Sequence, residues 1–486
     1  MSARKTLVIL TTPYLFFALT LMGCSHHQNY DNELTSSRNL AFEQYGSFGQ
    51  TSKLPKQKST YKLSLALAMK MAISNNKTLK ASHRNKEASL GHLLATERDL
   101  LPKVRLHGAC RRKDDLDHFG EMKIGARNDF SVGLEISRSI FRENDLNNGI
   151  KKASLLVTLS EEELSETIER TLFFTTKAYY DLQLAKKLVT VTESALHSAK
   201  LHLHQVTCKR KSGAATDYKV LRARVDSSLY EAELIERKNA QKNAKLALCR
   251  HIGLPSHFKL QLTDGLQYIP VTPQLTKHLK VAFENRPDLR KAQTKISLSK
   301  IALSMSKSQF KPHLFAFARG LWSRPDPHYP LVDDWGKGST LGIAVEVPLF
   351  EQKRKEGNLQ EAHSLLEKNK YELHHKEELC ELELRIVIAK ILDAEKLIQS
   401  QNMNVLRAKE GLRLAEAGYK EGVNTEIDVM DARSTLTKAL ALHHKALHQH
   451  IIAKLELDEC TGTLAKTHLP KGEKHAELHK TQTRTK

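Results

Sequence analysis

Residues 209–224 read KRKSGAATDYKVLRAR and residues 418–433 read GYKEGVNTEIDVMDAR. At a shift of 209 the two stretches share Gly213/Gly422, Thr216/Thr425, Ala223/Ala432 and Arg224/Arg433. The match extends without a gap over Leu203–Gly253 and Leu412–Gly462, with 13 of 51 positions identical, Gly253/Gly462 included. The same shift lays Gly133 on Gly342 and Phe141 on Phe350, and a shift of 210 lays Ala72 on Ala282, Asn75 on Asn285, Leu79 on Leu289 and Pro102 on Pro312. Residues 63–253 and 273–462 are therefore two copies of one unit, joined by a linker over 254–272.

Proline placement gives the layout of each copy. No Pro occurs from 103 to 254 or from 349 to 469. Because Pro inside a helix costs ~3 kcal/mol, these gaps permit very long helices. Each copy is expected to open with a helix of about 37 residues (64–100; 275–310), followed by a strand pair. A helix of about 66 residues comes next (142–207; 351–417), ~100 Å long at 1.5 Å per residue. Gly213 or Gly422 then reverses the chain, a position that wants a residue accepting φ > 0. A second helix of about 37 residues ends the copy (216–252; 425–461). Two shorter helices end to end match one long helix, which suggests the wall of a cylinder. In the last helix of the first copy, Tyr218, Leu221, Val225, Leu229 and Ala232 step by 3, 4, 4 and 3, the spacing of a packed helix face.

The strands read differently. Phe130, Val132, Leu134 and Ile136 alternate with Ser131, Gly133, Glu135 and Ser137, and Leu341, Ile343, Val345 and Val347 alternate with Gly342, Ala344 and Glu346. Their partners are expected at 103–110 and 313–321, where Phe315 and Phe317 leave the facing of the second open. Lengths of ~9–11 residues suit transmembrane β-strands. Four strands per chain cannot close a barrel, and an open edge cannot face lipid. Three copies would give twelve strands, with Trp322 and Trp335 where an aromatic girdle sits. Glu135 and Glu346 fall on the polar face; six glutamates in a trimer's lumen would favour cations.

Composition sets the class. Hydrophobic residues are 40%, charged residues 27% and mean hydropathy −0.44, which excludes a polytopic helical membrane protein and a disordered chain. The net charge of +21 is spread along the chain, apart from a basic tail over 463–486 expected to be disordered. It lacks the stripe or reader fold of a nucleic-acid binder. At the N-terminus Arg4 and Lys5 precede an apolar stretch, Leu7 to Met22, closed by Leu21-Met22-Gly23-Cys24. This resembles a bacterial lipobox, with residues 1–23 a signal peptide, Cys24 the lipidated first residue of a 24–62 periplasmic segment, and Ser25 favouring the outer membrane. Ordinary secretory cleavage with Cys24 a bystander is the alternative. The other cysteines (Cys110, Cys208, Cys249, Cys380, Cys460) form no C-x-x-C, so neither a zinc site nor a dense disulfide scaffold is expected.

Four segments then carry a family resemblance: Glu284-Asn285-Arg286-Pro287-Asp288-Leu289; Phe310-Lys311-Pro312; Val347-Pro348-Leu349-Phe350; and Tyr419-Lys420-Glu421-Gly422 leading to Asp428-Val429-Met430-Asp431-Ala432. In this order, on a duplicated helix–hairpin–helix unit, they resemble the TolC family of outer membrane efflux proteins over nearly all of 60–462. The resemblance implies a mainly α fold with a small transmembrane β part: a homotrimer whose 12-stranded barrel continues into a long α-helical periplasmic barrel. It implies an exit duct for small toxic molecules, partnered by a periplasmic adaptor and an inner membrane pump, and anchored in outer membrane lipid. Gly213 and Gly422, with Thr216 and Thr425, would mark the two tip hairpins that engage the adaptor. Asp428 and Asp431, three apart on one helix face, match the family's gate rings, and Tyr419 matches a Tyr that helps hold the tip closed. Lys219 stands in the first copy where Asp428 stands in the second, and Asn424 where an Arg is common, so the lock is expected to be rewired with Lys219 as a neutralising partner. An ordinary solvated face is the alternative for the two aspartates.

Type I protein secretion, metal efflux and a lipid-tethered coiled-coil scaffold are the other readings. Gly336-Lys337-Gly338-Ser339-Thr340 echoes a phosphate loop but precedes a strand instead of opening a helix. His444 and His448, four apart on a helix, lack a third ligand fixed by sequence. No catalytic arrangement is evident, and no enzyme activity, cofactor or metal is expected.

Overall fold

The computed structural model describes residues 60–114, 117–119, 122–124, 127–140, 143–255, 258–308, 311–329, 333–347 and 352–468. All but Thr60 belong to one compact unit, Tyr61–Lys486. The signal segment, Cys24, Phe310 and Pro348-Leu349-Phe350 lie outside the described residues, as does the tail from 469.

The first copy runs β1 (Thr60–Leu63), α1 (Leu65–Asn75), α2 (Lys77–Arg98), β2 (Lys103–Arg112), a short hairpin of β3 (Asp117–Phe119) and β4 (Met122–Ile124), β5 (Asn128–Ser139), α3 (Glu143–Lys211) and α4 (Asp217–Ile252). The second runs β6 (Lys259–Leu262), α5 (Leu275–Asn285), α6 (Pro287–Ser308), β7 (His313–Arg324), β8 (Gly336–Glu346), α7 (Gln352–Lys420) and α8 (Glu426–Cys460), with α9 (Leu464–His468) after it. Both long helices have 69 residues, ~100 Å each.

Two expectations need correction, and the linker gains detail. The opening helix of each copy is two helices, not one. Asn76 takes extended ψ 120° and its side chain accepts from the amides of Thr78 (2.8 Å) and Leu79 (3.3 Å), capping α2. Arg286 takes ψ 120° at the equivalent place because Pro287 excludes the helical conformation from the residue before it and itself suits the first helical position. The linker carries a strand: β6 pairs with β1, and the Tyr179 hydroxyl ties both ends by donating to the Leu63 carbonyl (3.0 Å) and contacting Asp264 (3.0 Å). The tail is ordered at its start, since Leu464 is fully buried against Phe173 and Leu455.

In the first copy α2 packs along the first half of α3, through Lys86–Glu161 (2.9 Å), and α4 along the second half, through Lys200–Glu231 (2.6 Å) and Lys238–Glu193 (3.0 Å). The end-to-end stacking read from lengths is therefore present. The copies also interlock. α3 touches α6 through Arg290–Glu162 (2.8 Å) and α8 through His448–Asp181 (2.7 Å). Two apolar cores form at matching places. Leu63, Ala68, Tyr179, Leu182, Leu248 and Ile252 fill the first; Ala282, Leu289, Leu384, Ile391, Ala453 and Leu457 fill the second. Fully burying one such side chain stabilises by roughly 1.5–3 kcal/mol.

The four strands form one antiparallel sheet in the order β2-β5-β7-β8, so β2 and β8 are its edges.

Candidate functional site: the hairpin turns and the sheet

The two hairpin turns share one backbone. Gly213 (φ 77°) and Gly422 (φ 75°) are left-handed. Ala214 N–H donates to the Lys209 carbonyl (2.8 Å) and Gly213 N–H to the Arg210 carbonyl (2.9 Å). In the second turn Val423 bonds Gly418 (2.8 Å) and Gly422 bonds Tyr419 (3.3 Å). These are two Schellman closures, each satisfying carbonyls orphaned at the end of a long helix.

The side chains after the turns differ. Thr425 caps α8 with a full capping box: Asp428 Oδ2 accepts from the Thr425 amide and hydroxyl (both 2.7 Å), and the Asp428 amide donates back to Thr425 Oγ1 (3.4 Å). The Thr425 hydroxyl and amide hold the Asp428 carboxyl below the usual carboxylate range. Thr216 begins α4 without any side-chain cap bond, and Lys219 at the third helical position has no acceptor with which to return a bond to the Thr216 amide. Asp431 is exposed one turn beyond Asp428 and makes no bond among the described residues. Asp428 is thus committed to its own helix, while Asp431 carries free charge.

Lys219, expected to neutralise the aspartates, makes no ion pair among the described residues. Lys209, not Lys219, reaches Tyr419. Its ammonium donates to the Tyr419 hydroxyl (3.2 Å) and lies 4.8 Å from the ring centroid, bridging the two turns. Arg210 closes the first turn on Asp217 (2.5 Å), and Asn424 Nδ2 reaches the Ala415 carbonyl (3.4 Å). Just inside the tip, His202 of α3 meets Glu426 of α8 at 2.8 Å, both 7% exposed. Asp226 and Arg433 complete this cluster; burial pushes the Asp226 carboxyl up, against Arg433, His202 and Arg222. Sequence reading missed Lys209, His202 and Glu426, because pairs 210 and 224 residues apart appear only once the copies are in register.

The sheet has two unlike faces. Register puts Val104, Ile136, Ala318 and Leu341 in one transverse row, and Leu106, Leu134, Gly320 and Ser339 in the next. This face is apolar and exposed: Leu341 by 86%, Leu106 by 76%, Ile343 by 69%. An exposed apolar sheet face of this size marks a surface made for lipid or a partner. Trp322 and Trp335 meet edge-on at its end, with ring centroids 5.8 Å apart. Leu314 and Ala316 share this face, which places Phe315 and Phe317 on the other.

The polar face corrects the expectation of an acidic surface. Its middle row is Arg105, Glu135, Arg319, Thr340. Arg319 Nε donates to Glu135 Oε2 (2.8 Å), and its guanidinium lies 4.8 Å from the Phe317 ring centroid. Glu346, opposite His313 at the far end, stands apart from this row. A charged residue turned to the lipid midplane costs ~2–4 kcal/mol, so Arg105 and Arg319, in the middle row, mark the face away from lipid, whereas Arg138 and Arg324 on the apolar face sit at its ends.

No group able to hold a metal occurs among the described residues. His448 is taken by Asp181, and burial depresses the basicity of His443 and His444. No described helix is long and apolar enough to cross a membrane.

A family model described as outer membrane efflux protein matches residues 68–254 and again residues 279–463. The chain is 22% identical over 418 residues to the alkaline protease secretion protein AprF of Pseudomonas aeruginosa, covering 84% of this chain and 86% of that protein. It is 21% identical over 423 residues to the pyoverdine export outer membrane protein OpmQ of Pseudomonas putida, covering 82% and 83%. The crystal structure of the Campylobacter jejuni CmeC outer membrane channel matches with a TM-score of 0.73 at 18% identity, over 82% of this chain and 85% of that one.

Proposed function

Because the chain belongs to the outer membrane efflux protein family, we propose that it is the outer membrane exit duct of a tripartite export system. The observation that carries the reading is the four-stranded sheet: one face exposed and apolar, the other polar, with both edges open. A sheet with open edges cannot stand in lipid, and three chains joined β8 to β2 would leave no edge. The helices would then continue the barrel into the periplasm, and the turns at Gly213 and Gly422 would meet a periplasmic adaptor bound to an inner membrane pump. Cys24 would add a lipid anchor. The role is transport, with no reaction chemistry.

At the tip, Asp431 from three chains would form a ring of free carboxylates, with Asp428 behind it as a cap. Like charges in a ring repel unless cations or protons enter, so the ring would bind divalent cations. The Lys209–Tyr419 contact would hold the two turns of each chain together in the closed state.

Cargo divides the relatives: the names of the two cited above give an alkaline protease for one and pyoverdine for the other. Small toxic molecules are the leading cargo here, with type I secretion the second reading, favoured by the similarity to AprF. Planar-bilayer recording and heat-modifiable trimers in outer membrane fractions test the duct; a soluble, non-conducting monomer would sink it. Gene deletion tests the cargo. Lost drug tolerance supports small molecules, lost metal tolerance a metal duct, and a lost secreted protein with unchanged tolerance the secretion reading.

A further inference from the structure

We infer that the barrel of this duct is anion-selective, through a ring built from Arg105 and Arg319, so that its cargo includes negatively charged solutes. This rests on the duct reading above and deepens it. The register places Arg105, Glu135 and Arg319 side by side on the polar face. That row holds two guanidinium groups against one carboxylate. Glu135 is taken up by Arg319 at 2.8 Å and is 20% exposed, whereas Arg319 is 53% exposed and Arg105 is exposed with no ion pair among the described residues. The neighbouring rows add no acid: His107, Gly133, Leu321 and Gly338 on one side, Lys103, Ser137, Phe317 and Gly342 on the other. Lys103 is tied to Asp99 at 2.9 Å, off the sheet.

Three rows, spanning ~14 Å along the strands, therefore carry one net positive charge per chain from the middle row. Three chains would place six arginines and three glutamates in a single ring. Asp129 and Glu346 lie toward opposite ends of the sheet, away from it. A pore filters ions by the charges lining its wall, so the overall charge of +21 is not what matters; this belt is. Arg319 is also held in place: Glu135 grips its Nε and the Phe317 ring supports its plane. Its charge is presented at a fixed position on the wall.

The test is the reversal potential of the full-length protein in planar bilayers under a potassium chloride gradient. It is run in an Asp431→Asn background, so that the tip does not filter cations. The expected parent pore passes chloride in preference to potassium. Arg105→Gln with Arg319→Gln should lower the chloride-to-potassium permeability ratio several-fold, and Glu135→Gln should raise it. Arg319→Gln and Glu135→Gln break the same ion pair, so opposite shifts report charge and not structure; Arg319→Lys should stay near the parent. A parent pore preferring potassium, or a ratio unmoved by the arginine pair in normally conducting trimers, overturns the inference and leaves the duct standing. A parent that does not conduct at all overturns both.

Discussion

At residue 76 the first copy breaks its opening helical run with one amide side chain; at residue 286 the second copy breaks the same run with a proline and an ion cluster. Arg286 is 13% exposed and pairs with Asp288 (2.9 Å) and Glu383 (2.7 Å). Asn76 does the equivalent work with two accepted hydrogen bonds. The contrast recurs along the copies. Arg250 in the first lies where Glu459 lies in the second, and Lys219 lies where Asp428 does. The turns and helix lengths, by contrast, are nearly superposable. Duplication has kept what fixes the backbone path and released the polar side chains to specialise. Shared backbone features should then cost the same to break in either copy, and unshared polar features should not.

The largest asymmetry is expected at the helix breaks. Burial works against the charge of Arg286, but Asp288 and Glu383 outweigh it and raise its basicity, while Arg286 keeps the Asp288 carboxyl below its usual range despite burial. Removing one member of this partly buried cluster, in which Asp288 is 23% and Glu383 47% exposed, leaves the others undercompensated, at about 2–3 kcal/mol. Arg286→Ala should lower the unfolding midpoint in detergent by that equivalent, against about 1 kcal/mol for Asn76→Ala, the cost of a lost cap. Equal midpoints would break the comparison.

The next effect depends on pH. Burial, with Glu456 and Glu383 adding repulsion, pushes the Glu459 carboxyl up to about 7, from 4.5. The folded state then binds a proton more tightly than the unfolded chain. Stability from this group is full below the unfolded value and declines as pH rises toward about 7, by on the order of 2 kcal/mol after allowing for partial exposure. Glu459→Gln should flatten the fall of the unfolding midpoint between pH 5 and 8. A residual slope of the same sign is expected from Glu169 and Asp226, which burial also raises. An unaltered slope would assign the dependence elsewhere.

A symmetric effect tests the other half of the comparison. A Cβ at Gly213 or Gly422 would meet nothing within 4 Å, so the cost of alanine there is the left-handed backbone alone, about 1 kcal/mol at each. Hydrogen exchange at the amides of Ala214 and Val423, the donors that close the two turns, should speed up alike in Gly213→Ala and Gly422→Ala. Unequal acceleration would mean that the turns differ in backbone after all.

Features repeated locally in sequence were legible. Proline-free runs announced α3 and α7, alternation announced β5 and β8, and the paired glycines announced the turns. The breaks at Asn76 and Arg286 were overlooked because a capping Asn looks like any helix-surface amide, and Pro287 was read as part of a motif instead of as a stop. The β1–β6 pair was invisible: each strand has four residues, and about 200 positions separate them. The site suffered most. Glu135 read alone is an acid on a polar face. Its meaning changed when register set Arg105 and Arg319 on either side, 30 residues upstream and 184 downstream. Charge at a site is a property of neighbours across strands, and one strand's alternation cannot supply it.

The smallest expected effect concerns Lys219. Thr216 and Thr425 take almost the same backbone, with φ −86° in both and ψ 158° and 162°. Only the second has its side-chain bonds, since Asp428 can accept what Lys219 cannot. Lys219→Glu should therefore build in the first copy the box that the second already has. The gain should be about 0.5 kcal/mol, with slower hydrogen exchange at the first amides of α4. The new carboxylate would also remove a cation from a turn that carries Lys209, Arg210 and Lys211, facing a turn that carries Glu421, Glu426, Asp428 and Asp431. Its two consequences have opposite signs: a firmer helix start, and weaker attraction between the basic and acidic hairpins. A variant with slower exchange at α4 and raised resting conductance in bilayers would show that both operate. Slower exchange with unchanged conductance would confine Lys219 to its own helix and leave Lys209–Tyr419 as the contact that holds the hairpins together.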